Sequence, residues 1–290
     1  MPSSCSDSMA DPPDLANPST IRAVARRFGV QFQRRWGQNF LADRGQLERL
    51  VAALAVRPAE HVVEVGPGLG VLTRELAQRA ASVVGVEVDS ACVRALGLTL
   101  RGLANVTIVL GDILVQPVGR LGPTPYRVVG NIPYNLTGAL FGHLLEQPDP
   151  PRQIDLLVQK EVAQRIASPG GDWSLATLSV RAFGSAELIL AIPKEAFFPV
   201  PKVASALLRI VPEPMPVIPR DELPEFFKFV RPFFQARRKQ LPYVLTRRLG
   251  LSNAQARAHL SQLGIDPARR PETLSLEEWR RLFARRIVPA

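Results

Sequence analysis

The chain has 290 residues, 46% of them hydrophobic, and carries a formal net charge of +10. This length allows one large domain and one smaller one. No apolar run reaches the roughly 20 residues that a membrane-spanning helix needs, which excludes an integral membrane protein. Two cysteines and three scattered histidines exclude a disulfide framework and a cysteine or histidine metal site. We therefore expect a soluble, cytoplasmic protein whose chemistry needs no metal.

The excess positive charge lies in two segments that flank a neutral middle. Residues 1–20 contain three acids and no bases, and residues 21–41 contain five arginines and no acids. Residues 42–219 are balanced, whereas residues 220–290 contain fifteen bases and seven acids. The polar first segment predicts a disordered tail rather than a signal or transit peptide. The two basic segments predict a polyanionic partner, with a solvated arginine-rich surface as the alternative.

Helical spacing of apolar residues over 21–28 predicts a short basic helix. A stretch of polar and aromatic residues, which ends in Gln38-Asn39-Phe40-Leu41, follows it. In that stretch Phe40 and Leu41 are expected to anchor the chain in the core. The preceding Gln38 and Asn39 are polar residues that we expect to face a ligand. Anchoring without any ligand contact is the alternative.

A strand predicted over 61–65 runs directly into the loop Gly66-Pro67-Gly68-Leu69-Gly70, after which helical spacing begins. This order is typical of nucleotide-binding turns, in which glycines let the main chain approach a ligand at a helix N-terminus. The dinucleotide fingerprint would place a glycine at Val71, where none is present. A nucleoside without a pyrophosphate, such as S-adenosylmethionine, is therefore favoured. A glycine turn used only for close packing is the alternative.

Two acidic residues follow the next two predicted strands. The strand at 83–86 ends in Glu87, which lies 21 residues after Gly66. That distance is near the roughly 20 residues at which an acid binds ribose hydroxyls in nucleotide-binding folds. The strand at 106–110 ends at Asp112, which is placed to accept a hydrogen bond from an adenine amine. A simple N-cap of the following turn is the alternative for Asp112.

The fourth predicted strand, 126–129, leads to the sequence Asn131-Ile132-Pro133-Tyr134. Pro133 fixes its own φ and biases Ile132 toward an extended conformation, so that the Ile132 carbonyl points outward. The Asn131 side chain offers a second acceptor beside it. Two acceptors can hold the two hydrogens of an aromatic amine, and Tyr134 offers a ring for stacking. An ordinary strand followed by a proline turn is the alternative.

Apolar runs at 154–158, 188–192 and 206–210 predict three further strands. Because the early strands alternate with helical patterns, the sequence predicts a doubly wound parallel sheet within one domain, residues 21–211.

Four prolines in residues 212–219 predict a semi-rigid linker. Residues 220–290 show the spacing of four short amphipathic helices and contain the densest basic cluster, Arg237-Arg238-Lys239. We therefore expect this last segment to form a basic helical domain that binds the polyanionic partner.

Several of these stretches occur in a characteristic order: Gln38-Asn39-Phe40-Leu41, Glu64-Val65-Gly66-Pro67-Gly68-Leu69-Gly70, Glu87, Gly111-Asp112, Asn131-Ile132-Pro133-Tyr134, Gln159-Lys160-Glu161-Val162-Ala163, Phe197-Phe198-Pro199-Val200-Pro201-Lys202-Val203 and Arg237-Arg238-Lys239. As an ordered set they resemble the ribosomal RNA adenine dimethyltransferase family, and most closely its bacterial small-subunit (16S) branch. The resemblance covers the chain from about Arg22 to its end. It implies an α/β, Rossmann-like class I methyltransferase fold with a mostly parallel seven-stranded sheet, helices on both faces and a small all-α C-terminal domain.

The resemblance implies S-adenosylmethionine as the cofactor and no metal. The expected cofactor-binding residues are Gln38, Asn39, Leu41, Gly66, Gly68, Glu87, Asp112 and Asn131. The expected catalytic residues are Asn131, Ile132, Pro133, Tyr134 and Phe197, with the rings of Tyr134 and Phe197 on either side of the target base. The expected RNA-binding residues in the two basic segments are Arg34, Arg35, Arg237, Arg238 and Lys239.

The implied reaction is dimethylation of the exocyclic amine of two adjacent adenosines near the 3′ end of 16S rRNA in a small-subunit precursor, carried out by a monomer. The sequence departs from the family at Gly138, where a proline is frequent, and at Gln240-Leu241-Pro242 after the basic cluster. Two alternatives stay open. One is an enzyme that methylates large-subunit rRNA and confers antibiotic resistance, and the other is a noncatalytic RNA-binding assembly or transcription factor.

Overall fold

The computed structural model of the protein describes residues 13–32, 39–168, 173–214, 216–236 and 239–286. Five of the predicted binding residues lie outside these ranges, namely Arg34, Arg35, Gln38, Arg237 and Arg238.

The first helix begins earlier than the sequence predicts. Helix α1 is Pro18–Phe28, and the side chain of Asn17 caps it by accepting a hydrogen bond from a main-chain N–H of the first turn. Just before it, Leu15 and Ala16 are buried in the hydrophobic core. The prediction of a disordered tail over residues 1–20 is therefore wrong for residues 13–20, because two apolar side chains and a capping residue fix this segment.

The other helices and strands follow in chain order. The helices are α2 Arg44–Leu54, α3 Val71–Ala77, α4 Ser90–Thr99, α5 Thr137–Leu145, α6 Lys160–Ala167, α7 Leu175–Phe183, α8 Leu223–Gln235, α9 Leu241–Leu249, α10 Asn253–Gln262 and α11 Leu276–Ala284. The strands are β1 Phe40–Leu41, β2 His61–Val65, β3 Ser82–Glu87, β4 Val106–Leu110, β5 Tyr126–Asn131, β6 Gln153–Gln159, β7 Gly184–Ile192, β8 Phe197–Phe198 and β9 Ser205–Pro212.

Seven of these strands form one sheet in the order β4-β3-β2-β5-β6-β9-β7. The first five are parallel to one another, whereas β9 pairs antiparallel with both β6 and β7. The prediction of a mostly parallel seven-stranded sheet is thus confirmed. Strands β2, β3 and β5 lie next to one another in the middle of the sheet, so their carboxyl ends meet at one edge, where α/β folds bind ligands.

Side chains of the central strands alternate between two hydrophobic cores, one on each face of the sheet. In β2, for example, Val62 packs with helices α1 to α4, whereas Val63 and Val65 pack with α5 to α7. Both faces of a parallel sheet are therefore covered by helices, which explains the continuous apolar runs in the sequence.

The C-terminal helices share the second of these cores rather than building one of their own. Phe226, Phe233 and Trp279 belong to the same buried cluster as the sheet, and the ring of Phe227 stacks on that of Phe183 in α7 at 6.0 Å. Within the predicted linker, Pro212 ends β9 and Ile218 is buried. The helices of residues 220–290 are present as predicted, but the preceding segment packs against the fold instead of spacing two bodies apart.

A network of charged side chains closes the amino-terminal edge of the sheet. The buried Arg127 donates from Nε to Asp155 at 2.8 Å and contacts Glu60 through Nη1 at 3.3 Å. Arg209 donates to the second oxygen of Asp155 at 2.7 Å. No helix in the described part of the chain is long and apolar enough to cross a membrane.

Candidate active site

A cavity lies at the carboxyl-terminal edge of the sheet, between the ends of β2, β3, β4 and β5 and the segment around β1. Its lining includes eight of the residues predicted from the sequence: Asn39, Leu41, Gly66, Gly68, Glu87, Asp112, Asn131 and Pro133. Stretches that are separate in sequence therefore converge on one cavity, as the order of the strands requires.

The glycine loop approaches its neighbours too closely for larger residues. Gly68 has φ +59°, and a Cβ there would lie 2.7 Å from Cε1 of the Phe40 ring. Gly70 has φ +90° and starts α3. The loop thus presents main chain rather than side chains to the cavity, and it rests on Phe40, which is buried as predicted.

Glu87 is fixed against this loop by two main-chain N–H groups. Its Oε2 accepts from the N–H of Gly68 at 2.9 Å, and its Oε1 accepts from the N–H of Asp89 at 2.9 Å. Burial raises the pKa of Glu87, while these hydrogen bonds act in the opposite direction. The carboxyl group is therefore held in one position, with further lone pairs on each oxygen for a ligand.

Glu64 is a second buried acid of the cavity, to which the sequence analysis gave no role. Its side chain is 2% exposed, and its Oε2 has no hydrogen-bond partner in the described residues. Burial raises the pKa of Glu64 to about 8, and the nearby charge of Glu87 adds to this, while Thr73 acts in the opposite direction. The side chains lining the cavity include three acids and, as far as the structure describes them, no base. This cavity suits a cationic ligand.

Asp112 caps the following turn, which was the alternative prediction, and it also lies at the cavity. Its Oδ1 accepts a hydrogen bond from the N–H of Leu114 at 2.9 Å, so it caps the short turn that follows β4. It also lines the cavity at the end of β4, close to Gly111. One oxygen serves the turn, and the other is left for a ligand.

The side-chain amide of Asn131 has a defined orientation. Its Nδ2 donates to the main-chain carbonyl of Asn39 at 2.7 Å, across a separation of 92 residues. Because a carbonyl only accepts, the nitrogen must face Asn39 and Oδ1 must point elsewhere as an acceptor. The segment that contains Asn39 is held in place by the antiparallel pairing of β1 with β8. No pattern in the sequence predicts this contact.

The three residues after Asn131 lie at different depths. The Ile132 side chain is buried in the core, and Pro133, with φ −55° and ψ 130°, lines the cavity. Tyr134 starts a single helical turn, is half-buried, and shares a hydrogen bond of 2.8 Å between its hydroxyl and Oγ of Ser205. Burial raises the pKa of the Tyr134 hydroxyl.

Phe197 does not lie where the sequence analysis expected it. It pairs with Leu41 in the small sheet and is only 2% exposed, inside the hydrophobic core. Its neighbour Phe198 is the more accessible ring, with Phe32 edge-on at 5.2 Å and the guanidinium of Arg22 at 4.6 Å. The expected open sandwich of Tyr134 and Phe197 is therefore wrong for this conformation, because apolar burial outweighs exposure of the ring.

Comparison with known proteins identifies the family. Residues 29–287 match the sequence model of the ribosomal RNA adenine dimethylases. The chain belongs to this family. The Ribosomal RNA small subunit methyltransferase A of Dehalococcoides mccartyi is 42% identical over 248 residues, which are 85% of each chain. The protein of the same name from Enterococcus faecalis is 36% identical over 94% of this chain and 97% of its own.

Structures of two related enzymes agree with the fold. The 23S rRNA methyltransferase ErmE has a TM-score of 0.64 at 31% identity, over 85% of this chain and 99% of its own. A dimethyladenosine transferase from Plasmodium falciparum has a TM-score of 0.68 at 22% identity, over 84% and 95%. Both support the Rossmann-like methyltransferase fold with its helical C-terminal region.

Family membership makes the protein an rRNA adenine dimethylase that uses S-adenosylmethionine. The cavity fits this cofactor, because a cationic nucleoside needs acidic partners, acceptors for its hydroxyls and amine, and apolar walls. Within the described residues, no group of three or more His, Cys, Asp or Glu is arranged to hold a metal ion.

Proposed function

We propose that this rRNA adenine dimethylase acts on small-subunit rRNA, where it dimethylates the exocyclic amines of two adjacent adenosines near the 3′ end of 16S rRNA. The observation that carries the proposal is the oriented acceptor of Asn131 at a cavity suited to a cationic nucleoside. The choice of subunit is supported by the names of the relatives that are 42% and 36% identical. We further propose that the enzyme works as a monomer in the cytoplasm.

The cofactor supplies an electrophilic methyl group on a sulfonium, which is a good leaving group. Glu87 would accept hydrogen bonds from the ribose hydroxyls, and Asp112 would accept one from the adenine amine. The methionine end would lie along Gly66 and Gly68 of the glycine loop. Asn39 and Leu41, which also line the cavity, would complete that end of the site. Gln38, which lies outside the described residues, is proposed as a further contact from the sequence alone.

The target amine is a weak nucleophile because its lone pair is shared with the adenine ring. Oδ1 of Asn131 and the carbonyl of Ile132 would each accept a hydrogen bond from one N–H of this amine and favour a pyramidal nitrogen. Pro133 would keep that carbonyl in place. Holding the reactants in line can supply roughly 7–11 kcal/mol in well-oriented systems. The first product retains one N–H, so a second transfer needs only a fresh cofactor.

The target base must leave its stack to reach this site. Tyr134 would hold the base by its ring, while its hydroxyl stays on Ser205. Phe197 can take part only if RNA binding uncovers it, since it is buried without RNA. Phosphates of the RNA would be held by the basic segments, through Arg34, Arg35, Arg237, Arg238 and Lys239.

The test is methylation of two transcripts in vitro, one of small-subunit and one of large-subunit rRNA, each with precursor particles as a second substrate. Mass spectrometry should find dimethyladenosine near the 3′ end of the small-subunit RNA, and none in that of the Asn131→Ala variant. Methylation of the large-subunit RNA instead would favour the second candidate, which the 31% identity to a 23S enzyme keeps open. No methylation of either RNA would favour a noncatalytic RNA-binding protein.

A further inference from the structure

Helix α9 presents an exposed aromatic ring between two basic side chains. Tyr243 is 37% exposed, although its neighbours Val244 and Leu245 are buried in the core. The ammonium of Lys239 lies 5.3 Å from the ring centroid, and the guanidinium of Arg247 lies 5.4 Å from it. Tyr243 and Arg247 are four residues apart on α9 and therefore share one face of the helix, whereas Lys239 lies two residues before the helix begins and reaches the same ring from there. The three side chains therefore form a single row.

The two cations of this row are not used for internal ion pairs. Among the residues described in the C-terminal region, no carboxylate lies within ion-pair distance of Lys239 or Arg247. In the same region Arg280, by contrast, donates to Glu277 at 3.0 Å. The charges of the row are therefore available to a partner, and they suit a negatively charged one.

We propose that this row, Lys239, Tyr243 and Arg247, binds a single-stranded segment of the rRNA substrate, with a base stacked on Tyr243 and the flanking phosphates on the two cations. The proposal rests on the proposed rRNA substrate. Both cations lie near the 6 Å limit of a cation–π contact, on exposed side chains. A base can therefore displace one of them from the ring, and its charge then meets a phosphate.

The two parts of this contact have different physical signatures. Stacking on an aromatic ring does not depend on counterions and tolerates any base. A phosphate contact releases counterions, so each one contributes about 0.7 to the slope of log K against log salt for single-stranded RNA. The ring and the cations can therefore be tested separately in one salt titration.

The experiment measures binding of a labelled 3′-terminal fragment of small-subunit rRNA to the full-length protein at several salt concentrations. Tyr243→Leu should weaken binding about 5- to 100-fold without changing the slope, whereas Tyr243→Phe should bind as the parent does. Lys239→Ala and Arg247→Ala should each reduce the slope by about 0.7. Arg280→Ala removes an equally exposed but paired cation and should change neither quantity.

Parental affinity in Tyr243→Leu would overturn the proposal, and so would a parental slope in both cation variants. Thermal unfolding of each variant checks that it is folded, and Tyr243 is exposed enough that we expect no change. If Tyr243→Leu binds the RNA normally while the parent methylates it, the proposal on the row is disproved and the proposed function still stands. If the parent neither binds nor methylates the fragment, the proposed function fails with it.

Discussion

Both the amino-terminal and the carboxyl-terminal edge of the sheet hold buried acids. At the first edge the acids are paired with arginines, whereas at the second the described residues provide no basic partner. At the amino-terminal edge, Asp155 is fully buried and accepts from Arg127 at 2.8 Å and from Arg209 at 2.7 Å. At the carboxyl-terminal edge, Glu64 and Glu87 are also buried, yet no basic side chain is found in the described lining of their cavity.

The pKa shifts of the acids reflect this difference. Burial acts to raise the pKa of Glu60, but the N–H of Arg57 and the guanidinium of Arg127 outweigh it and lower the pKa. At the other edge burial dominates, and the pKa values of Glu64 and Glu87 are raised. The ion network at the amino-terminal edge stabilises the fold, whereas Glu87 and Asp112 line a cavity in which the described residues provide no base, so a cationic ligand can compensate their charge.

The largest effect on stability is expected at the amino-terminal edge, where the buried acids are paired with arginines. Asp155→Ala removes the carboxylate that Arg127 and Arg209 share, and breaking such a buried pair costs about 3–5 kcal/mol. Denaturant unfolding should show this loss, while cofactor affinity of the folded protein stays near the parental value. Glu277→Ala removes a pair between exposed side chains and should cost far less than Asp155→Ala, because solvent screens such a pair. Equal losses in the two variants would contradict the contrast between buried and exposed pairs.

The largest effect on turnover is expected at the carboxyl-terminal edge, where the cavity lies. Asn131→Ala removes one amine acceptor but no charge, and loss of a single positioned group of this kind costs about 10²–10³-fold in rate. Single-turnover methylation measures the loss, and cofactor affinity should change much less. Asn135→Ala, at an exposed residue four positions later, serves as the matched control and should keep the parental rate. An unchanged rate in Asn131→Ala would disprove the proposed amine contact.

Cofactor affinity is expected to depend on Glu87. Glu87→Ala removes a charged acceptor of the ribose and should weaken S-adenosylmethionine binding about 10- to 100-fold, with RNA affinity nearly unchanged. Because Glu87 also holds the Gly68 N–H, calorimetry should include an analogue that lacks the ribose hydroxyls. Parent and variant should bind that analogue alike if the loss comes from the ribose. A persistent difference would assign the effect to the loop.

Much of the cavity at the carboxyl-terminal edge could be predicted, because each segment that forms it is recognisable from a short continuous stretch of sequence. The strand at His61–Val65, the glycine loop and Glu87 occur where run length, glycine spacing and strand ends place them. A parallel sheet brings the carboxyl ends of neighbouring strands together, so the pattern of single segments was sufficient.

The parts that could not be predicted depend on long-range contacts. Two-residue strands such as Phe40–Leu41 have no periodicity, and the hydrogen bond from Asn131 to Asn39 joins residues 92 positions apart. Phe197 was expected beside the target base because the family resemblance implies it, but its pairing with Leu41 places it in the core. The row of Lys239, Tyr243 and Arg247 was missed because helical spacing does not show that Tyr243 is exposed and lies close to both cations.

The smallest expected effect is a pH dependence of stability due to Glu64. Its pKa is about 8 in the folded protein against 4.5 for an ordinary glutamate. The folded state therefore keeps a proton that the unfolded state loses above pH 4.5, so stability falls as pH rises through the window between these values. Between pH 6 and pH 8 the contribution of this one group amounts to roughly 2 kcal/mol.

Glu64→Gln cannot ionise and should unfold with a flatter pH dependence, whatever constant offset its amide adds. Because the charges of Glu64 and Glu87 interact, the difference between the two curves reports the titration of Glu64 together with its coupling to Glu87. Denaturant unfolding from pH 5 to pH 8.5 measures the difference, and parallel curves would show that Glu64 is ionised throughout, despite its burial.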